Sequence, residues 1–144
     1  MSLKRANLGS AQWGGRIYLV GGTDGNNDLS IVESYAPSPL QDSEGYYRKE
    51  ASLPEPAGNC KTDQLVDTLF VICPSVVMKL TPGQDTWVSE IIPVSIMLGS
   101  DFSTAYFNNS LYILGGMNAS GESESFFARF QALYSIMLPL LSND

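Results

Sequence analysis

Asp24, Asn26 and Asp28 stand at alternate positions in the stretch TDGNNDL, the spacing at which oxygen side chains open a calcium-binding loop. The chemistry fails further on. Leu29 stands where the sharp turn needs glycine, and Tyr35 where a glutamate would close the site. A turn rich in Asn and Asp accounts for the pattern, so no metal and no cofactor is expected. Among the 144 residues there is no histidine. That closes Ser-His and Cys-His nucleophiles, imidazole general bases and imidazole metal sites. Cys60 and Cys73 alone cannot build a four-thiolate zinc site. No catalytic residue is assigned, and the chain is expected not to be an enzyme.

The remaining chemistry is charge. The net charge is −7, from 8 basic and 15 acidic residues, and the basic ones are scattered. Nucleic acid and anionic membranes both need a concentrated positive face, so neither is expected as a partner. A composition that is 44% hydrophobic and 16% charged reads as globular. No apolar run approaches the ~18 residues of a membrane span. The opening MSLKRANLGS lacks the apolar centre of a secretory signal, and two cysteines make no disulfide framework. Both readings lead to a cytoplasmic, reducing location as the expectation.

The elements that position these residues come in three copies. Gly14-Gly15-Arg16-Ile17-Tyr18-Leu19-Val20-Gly21-Gly22 returns as Asn108-Asn109-Ser110-Leu111-Tyr112-Ile113-Leu114-Gly115-Gly116. Between them lies Asp67-Thr68-Leu69-Phe70-Val71-Ile72-Cys73-Pro74, with Cys73-Pro74 in place of the glycine pair. Downstream, Ser30 to Pro37 parallels Ser75 to Pro82, and Ser125 to Phe130 is the third version. Tyr47 with Pro54, and Trp87 with Pro93, close two of the units. Each unit holds four β-type segments and no helical periodicity. The pairs Gly14-Gly15 and Asn108-Asn109 supply the positive φ angles of a tight hairpin. Gly21-Gly22 and Gly115-Gly116 leave room for close approach of neighbouring strands.

An apolar run ending in Gly-Gly, a Val-Glu-x-Tyr segment and a later aromatic resemble the kelch repeat. The residues that carry the likeness are Tyr18, Gly21, Gly22, Glu33, Tyr35 and Tyr47, then Trp87, then Tyr112, Gly115 and Gly116. The resemblance implies an all-β fold of three four-stranded antiparallel blades, a partial β-propeller in one domain. The blades run over about residues 8–54, 58–96 and 100–141. Propellers close with ~4 to 8 blades, so three leave two open faces. A homodimer completing a six-bladed ring, a piece of a longer kelch chain, or an open array would each account for this.

In kelch proteins the face bearing the loops between second and third strands commonly holds a partner. The resemblance implies the same for Asp24, Asn26, Asn27 and Asp28 in unit one and for Ser120 and Glu122 in unit three. Asn59 and Asp101 belong to the links on that face, which run over residues 55–59 and 98–101. An acidic face suits a basic segment of a protein partner. The function implied is a protein–protein interaction module, part of a longer substrate-recruiting or cytoskeletal adaptor. The BTB region that ties such modules to a ubiquitin ligase is not among these residues. Alternatives are a propeller enzyme of the sugar epimerase or oxidase type, or a truncated product without independent function. Aromatics at Tyr18, Tyr35, Trp87, Tyr112 and Phe130 are expected in the core. The register of the hairpins places Cys60 opposite Cys73, and the reading taken is a pair of packed thiols.

Overall fold

Each copy forms its own antiparallel sheet of four strands, and the strands of one sheet do not pair with those of the next. The first sheet is β1 (Gly9–Trp13), β2 (Arg16–Val20), β3 (Val32–Ala36) and β4 (Tyr46–Lys49). The second is β5 (Lys61–Leu65), β6 (Thr68–Ile72), β7 (Val76–Leu80) and β8 (Val88–Ile91). The third is β9 (Ser103–Phe107), β10 (Ser110–Leu114), β11 (Phe127–Leu133) and β12 (Ile136–Leu140). The computed structural model describes residues 3–39, 43–81, 84–91, 99–118, 120–133 and 136–140. Pro82, Pro93 and Leu98 lie outside the described residues. Among the described residues no helix is long and apolar enough to cross a membrane.

The first hairpin of each sheet turns as its residues require. Gly14 and Gly15 adopt φ 55° and 72°, and Asn108 and Asn109 adopt 45° and 58°. Left-handed conformation at both central positions is the type I′ turn that matches strand twist. The middle copy turns with Val66 at φ 55°, a strained conformation for a β-branched residue. The register then runs without slip: Ala11 faces Tyr18, Asp63 faces Phe70 and Ala105 faces Tyr112.

Side chains alternate across each strand, so every sheet has a leading face toward the next copy and a trailing face toward the previous one. Tyr18, Val20 and Val32 from the leading face of the first sheet meet Leu69, Val71 and Met78 from the trailing face of the second. Phe70 and Ile72 from the second sheet meet Leu111, Ile113 and Ala128 from the third. These two apolar seams are the core. Two tryptophans reinforce the first seam: Trp13 Nε1 donates to Asp67 O at 2.8 Å, and Trp87 Nε1 to Ala51 O at 3.0 Å. β1, β5 and β9 stand side by side and line a cavity of about 690 Å³.

Tyr18, Trp87 and Phe130 are buried, but Tyr35 and Tyr112 are only half-buried. The correction has a simple cause. Tyr35 lies on the trailing face of the first sheet and Tyr112 on the leading face of the third, where this chain supplies no neighbour. Each rests on an aromatic of its own sheet, Tyr47 and Phe127 respectively.

A second correction concerns the cysteines. Cys60 and Cys73 are joined in a disulfide rather than packed as separate thiols. Their Cα atoms are 4.5 Å apart, the distance of a close cross-strand pair and within disulfide reach. The equivalent pairs in the other sheets are Leu8 with Gly21 and Phe102 with Gly115, so the bond replaces an ordinary packing contact. It also removes the two free thiols on which the reducing-compartment expectation partly rested.

Replacing both Cys60 and Cys73 by alanine should lower the free energy of urea unfolding by about 2–3 kcal/mol, because a short loop loses its closure. The unreduced protein should resist alkylation at both positions; quantitative labelling without reductant would contradict the bond.

Candidate functional site: an acidic loop rim

The connections from second to third strand emerge together at one end of the sheets, and one backbone hydrogen bond closes each. Gly21 N donates to Ile31 O at 2.9 Å, Cys73 N to Val76 O at 2.9 Å and Gly115 N to Phe126 O at 2.8 Å. Residues 22–30 and the described residues of 116–125 therefore rise as loops, while only Pro74 and Ser75 cross between the bonded residues of the middle sheet. The rim is tall, low and tall again.

Links into the sheets brace the two tall loops. Ala6 and Thr23 exchange backbone hydrogen bonds at 2.9 and 2.8 Å, as do Ser100 and Met117 at 3.0 and 2.8 Å. The link entering the second sheet crosses behind the first loop: Gly22 N donates to Ala57 O at 2.8 Å, and Ala57 N to Leu29 O at 3.0 Å. A side chain at Gly21 would meet Ala57 O at 2.2 Å, so glycine is required there by contact as well as by its φ of 61°.

Asp24 builds the first loop from within. Its Oδ1 accepts the amides of Asn26 and Asn27, both at 2.9 Å, while Asp24 N donates to Asn27 O at 3.2 Å. Thr23 Oγ1 donates to Asn27 O at 3.0 Å. This is an Asx turn, and it is what alternating Asp and Asn were doing in the sequence. Those backbone hydrogen bonds hold the Asp24 carboxyl below its ordinary value of 3.8. In the third loop Asn118 has the same part: its Oδ1 accepts from Ser120 N at 2.9 Å and Glu122 N at 3.0 Å, and its Nδ2 donates to Glu122 Oε2 at 3.1 Å. Asn118 was not among the sequence-assigned residues, although the repeat places it opposite Asp24.

The structure gathers Asp24, Asn26, Asn27, Asp28 and Asn59 at the first loop. Asp28 lies over Gly58, where an added Cβ would sit 1.9 Å from its Oδ1. Asp101, Ser120 and Glu122 gather at the third loop, where Ser100 Oγ donates to Asp101 Oδ2 at 3.0 Å. Asn59 and Asp101 also have a conformational reason to be there. With Asn7 they occupy equivalent positions before the first strands, at φ 55°, 58° and 51°, a region Asn and Asp tolerate.

Beneath the rim, Arg5 is fully enclosed. It donates to Gly21 O at 2.7 Å, Ile31 O at 2.8 Å, Leu19 O at 3.2 Å and Glu33 Oε2 at 3.0 Å. Burial lowers its pKa and the neighbouring Glu33 carboxylate partly restores it. Lining the cavity, Asp63 is pushed up by burial, against hydrogen bonds from Gln64 N and the Thr104 side chain. Neither residue was singled out in the sequence. The partners of Arg5 are distant in the chain, and for Asp63 only the repeat register placing residues 60–64 beside 102–106 could have pointed to Thr104.

Because the Asp24 pKa is depressed by folding, its contribution to the loop is present above the ordinary aspartate value and is lost as pH falls through the folded value. NMR titration should find Asp24 below 3.8. Asp24→Ala should speed amide exchange at Asn26 and Asn27, and Asp24→Asn should largely preserve their protection. A normal titration with unchanged exchange would contradict the Asx turn.

A family model described as the Kelch motif matches residues 4–38, the first sheet up to the loop after β3. No curated protein matches the chain. Among solved structures, YjhT matches 97% of this chain and 46% of its own, at a TM-score of 0.69 and 14% identity. At that identity the likeness concerns the fold, and the chain spans about half the length of that structure. A Kelch motif thus lies over the first sheet, and the three four-stranded sheets have the fold of β-propeller blades.

Proposed function

We propose that this chain is a kelch-repeat protein-interaction module whose rim holds a basic, extended segment of a protein partner. The observation that carries the reading is the rim's charge. Asp24, Asp28, Glu55, Asp101, Glu122 and Glu124 are all exposed there. No lysine or arginine occurs in 21–31, 51–60, 73–76, 99–101 or 115–126. Lys4 stands on the segment entering the first blade, and Arg5 is enclosed.

Two further features support it. The tall loops flank the low turn at Pro74 and Ser75, leaving a saddle in which an extended segment can lie. Both loops are tied by their own hydrogen bonds, so binding costs little additional ordering. Like-signed carboxylates on a fixed frame attract a cationic partner and speed its approach, in a manner screened by salt. In a longer chain such a module would recruit a substrate or a cytoskeletal protein as an adaptor. We assign it no catalytic role, and neither nucleic acid nor membrane as partner.

Fluorescence anisotropy with a Lys/Arg-rich peptide tests this. Asp28→Lys with Glu124→Lys should weaken binding about tenfold or more, and raising the salt should weaken it in the unaltered chain. Equal affinity in both proteins would remove the rim from the binding surface.

A further inference from the structure

The two seams inside the chain show what covers each face of a blade, and the two end blades carry the same faces uncovered. On the leading face, Val20 in the first blade and Ile72 in the second are each 1% exposed, whereas their counterpart Leu114 is 43% exposed. Phe127, paired beside it, is 44% exposed where its counterpart Val32 is buried. On the trailing face, Leu69 and Leu111 are 0% exposed, whereas their counterpart Ile17 is 40% exposed. Backbone contacts follow the same rule. Gly21 is met by the carbonyl of Ala57 from the next blade's link, while no described residue comes within 4 Å of the equivalent Cβ position at Gly115.

Each uncovered face therefore lacks a surface of a kind this chain itself encodes. The leading face of the third blade needs a trailing face bearing aliphatic residues at the second strand, and the first blade presents Ile17 and Leu19 there. The half-length match points the same way, because one copy covers 46% of YjhT, a chain of similar fold. We propose that a second copy of this chain closes the ring, the third blade of each protomer packing on the first blade of its partner. The twofold axis makes the two contacts identical, so the assembly ends at two copies rather than growing. It encloses the cavity lined by β1, β5 and β9, and it sets four tall acidic loops around one rim.

The inference stands apart from the binding reading, since each protomer carries its own acidic saddle. Size-exclusion chromatography with light scattering, on the unaltered chain, should give a single species of twice the 15.6 kDa protomer mass. Leu114→Asp and Ile17→Asp, on opposite faces, should each return it to the protomer mass with an unchanged far-ultraviolet dichroism spectrum. Tyr46→Asp, on the exposed outer strand β4, should leave the dimer intact. Should either variant lose its fold, Phe127→Ser and a hydrogen-exchange comparison of β10 and β11 at high and low protein concentration take its place. A protomer-sized species at all concentrations would overturn the proposal and assign the faces to other blades. So would species that lengthen with concentration, or a dimer indifferent to both substitutions.

Discussion

Burial of one sheet's leading face against the next sheet's trailing face is the interaction on which everything else in this molecule rests. A four-stranded sheet has two faces, and a chain of this length cannot leave them all wet. Leu69, Val71 and Met78 lie under Tyr18, Val20 and Val32 because strand alternation aims each set outward from its own sheet. The seam in turn fixes where the links cross, and Ala57 passes close enough to Gly21 to exclude any side chain. Site geometry is a consequence: the loops stand where they do because the sheets cannot shift along the seam.

Charge is handled differently on the two sides of this frame. Below the rim, Arg5 gathers three carbonyls and the Glu33 carboxylate in a site without solvent. The counterparts of Glu33 in the other blades are Met78 and Ala128, both inside seams. An ion pair thus occupies, in the first blade, a position that is apolar wherever another blade covers it. Above the rim, the carboxylates are exposed and form no ion pair among the described residues, and the hydrogen bonds of Asp24 and Asn118 serve loop shape rather than charge balance.

Much of the fold was legible because certain backbone shapes admit few residues. Positive φ at Gly14-Gly15 and Asn108-Asn109 fixed the hairpins, the hairpins fixed register, and register placed Cys60 opposite Cys73. Whether those thiols are oxidised is not a matter of register, and there the expectation went the other way. Exposure of Tyr35 and Tyr112 was illegible for another reason: their residue types match buried counterparts, and only the absence of a neighbouring blade sets them apart. Asp24 and Asp28 were found through their composition, but the turn-forming role of Asp24 needed coordinates. Arg5 went unnoticed because its partners lie far along the chain, and Asp63 because its burial and its Thr104 contact come from the neighbouring blade. The turn at Val66 shows the limit of glycine as a signal, since a hairpin of the same register forms there with Val66 alone of the pair at positive φ.

Truncation in a seam measures the central interaction most directly. Leu69→Ala and Leu111→Ala each empty a fully buried position in a different seam. Urea unfolding should show a loss of about 2–5 kcal/mol for either, as for core leucines generally. Val88→Ala, an exposed truncation on the outer strand β8, should cost well under about 1 kcal/mol. If both seam variants cost no more than Val88→Ala, the sheets do not depend on one another, and the account of blade, rim and site fails together.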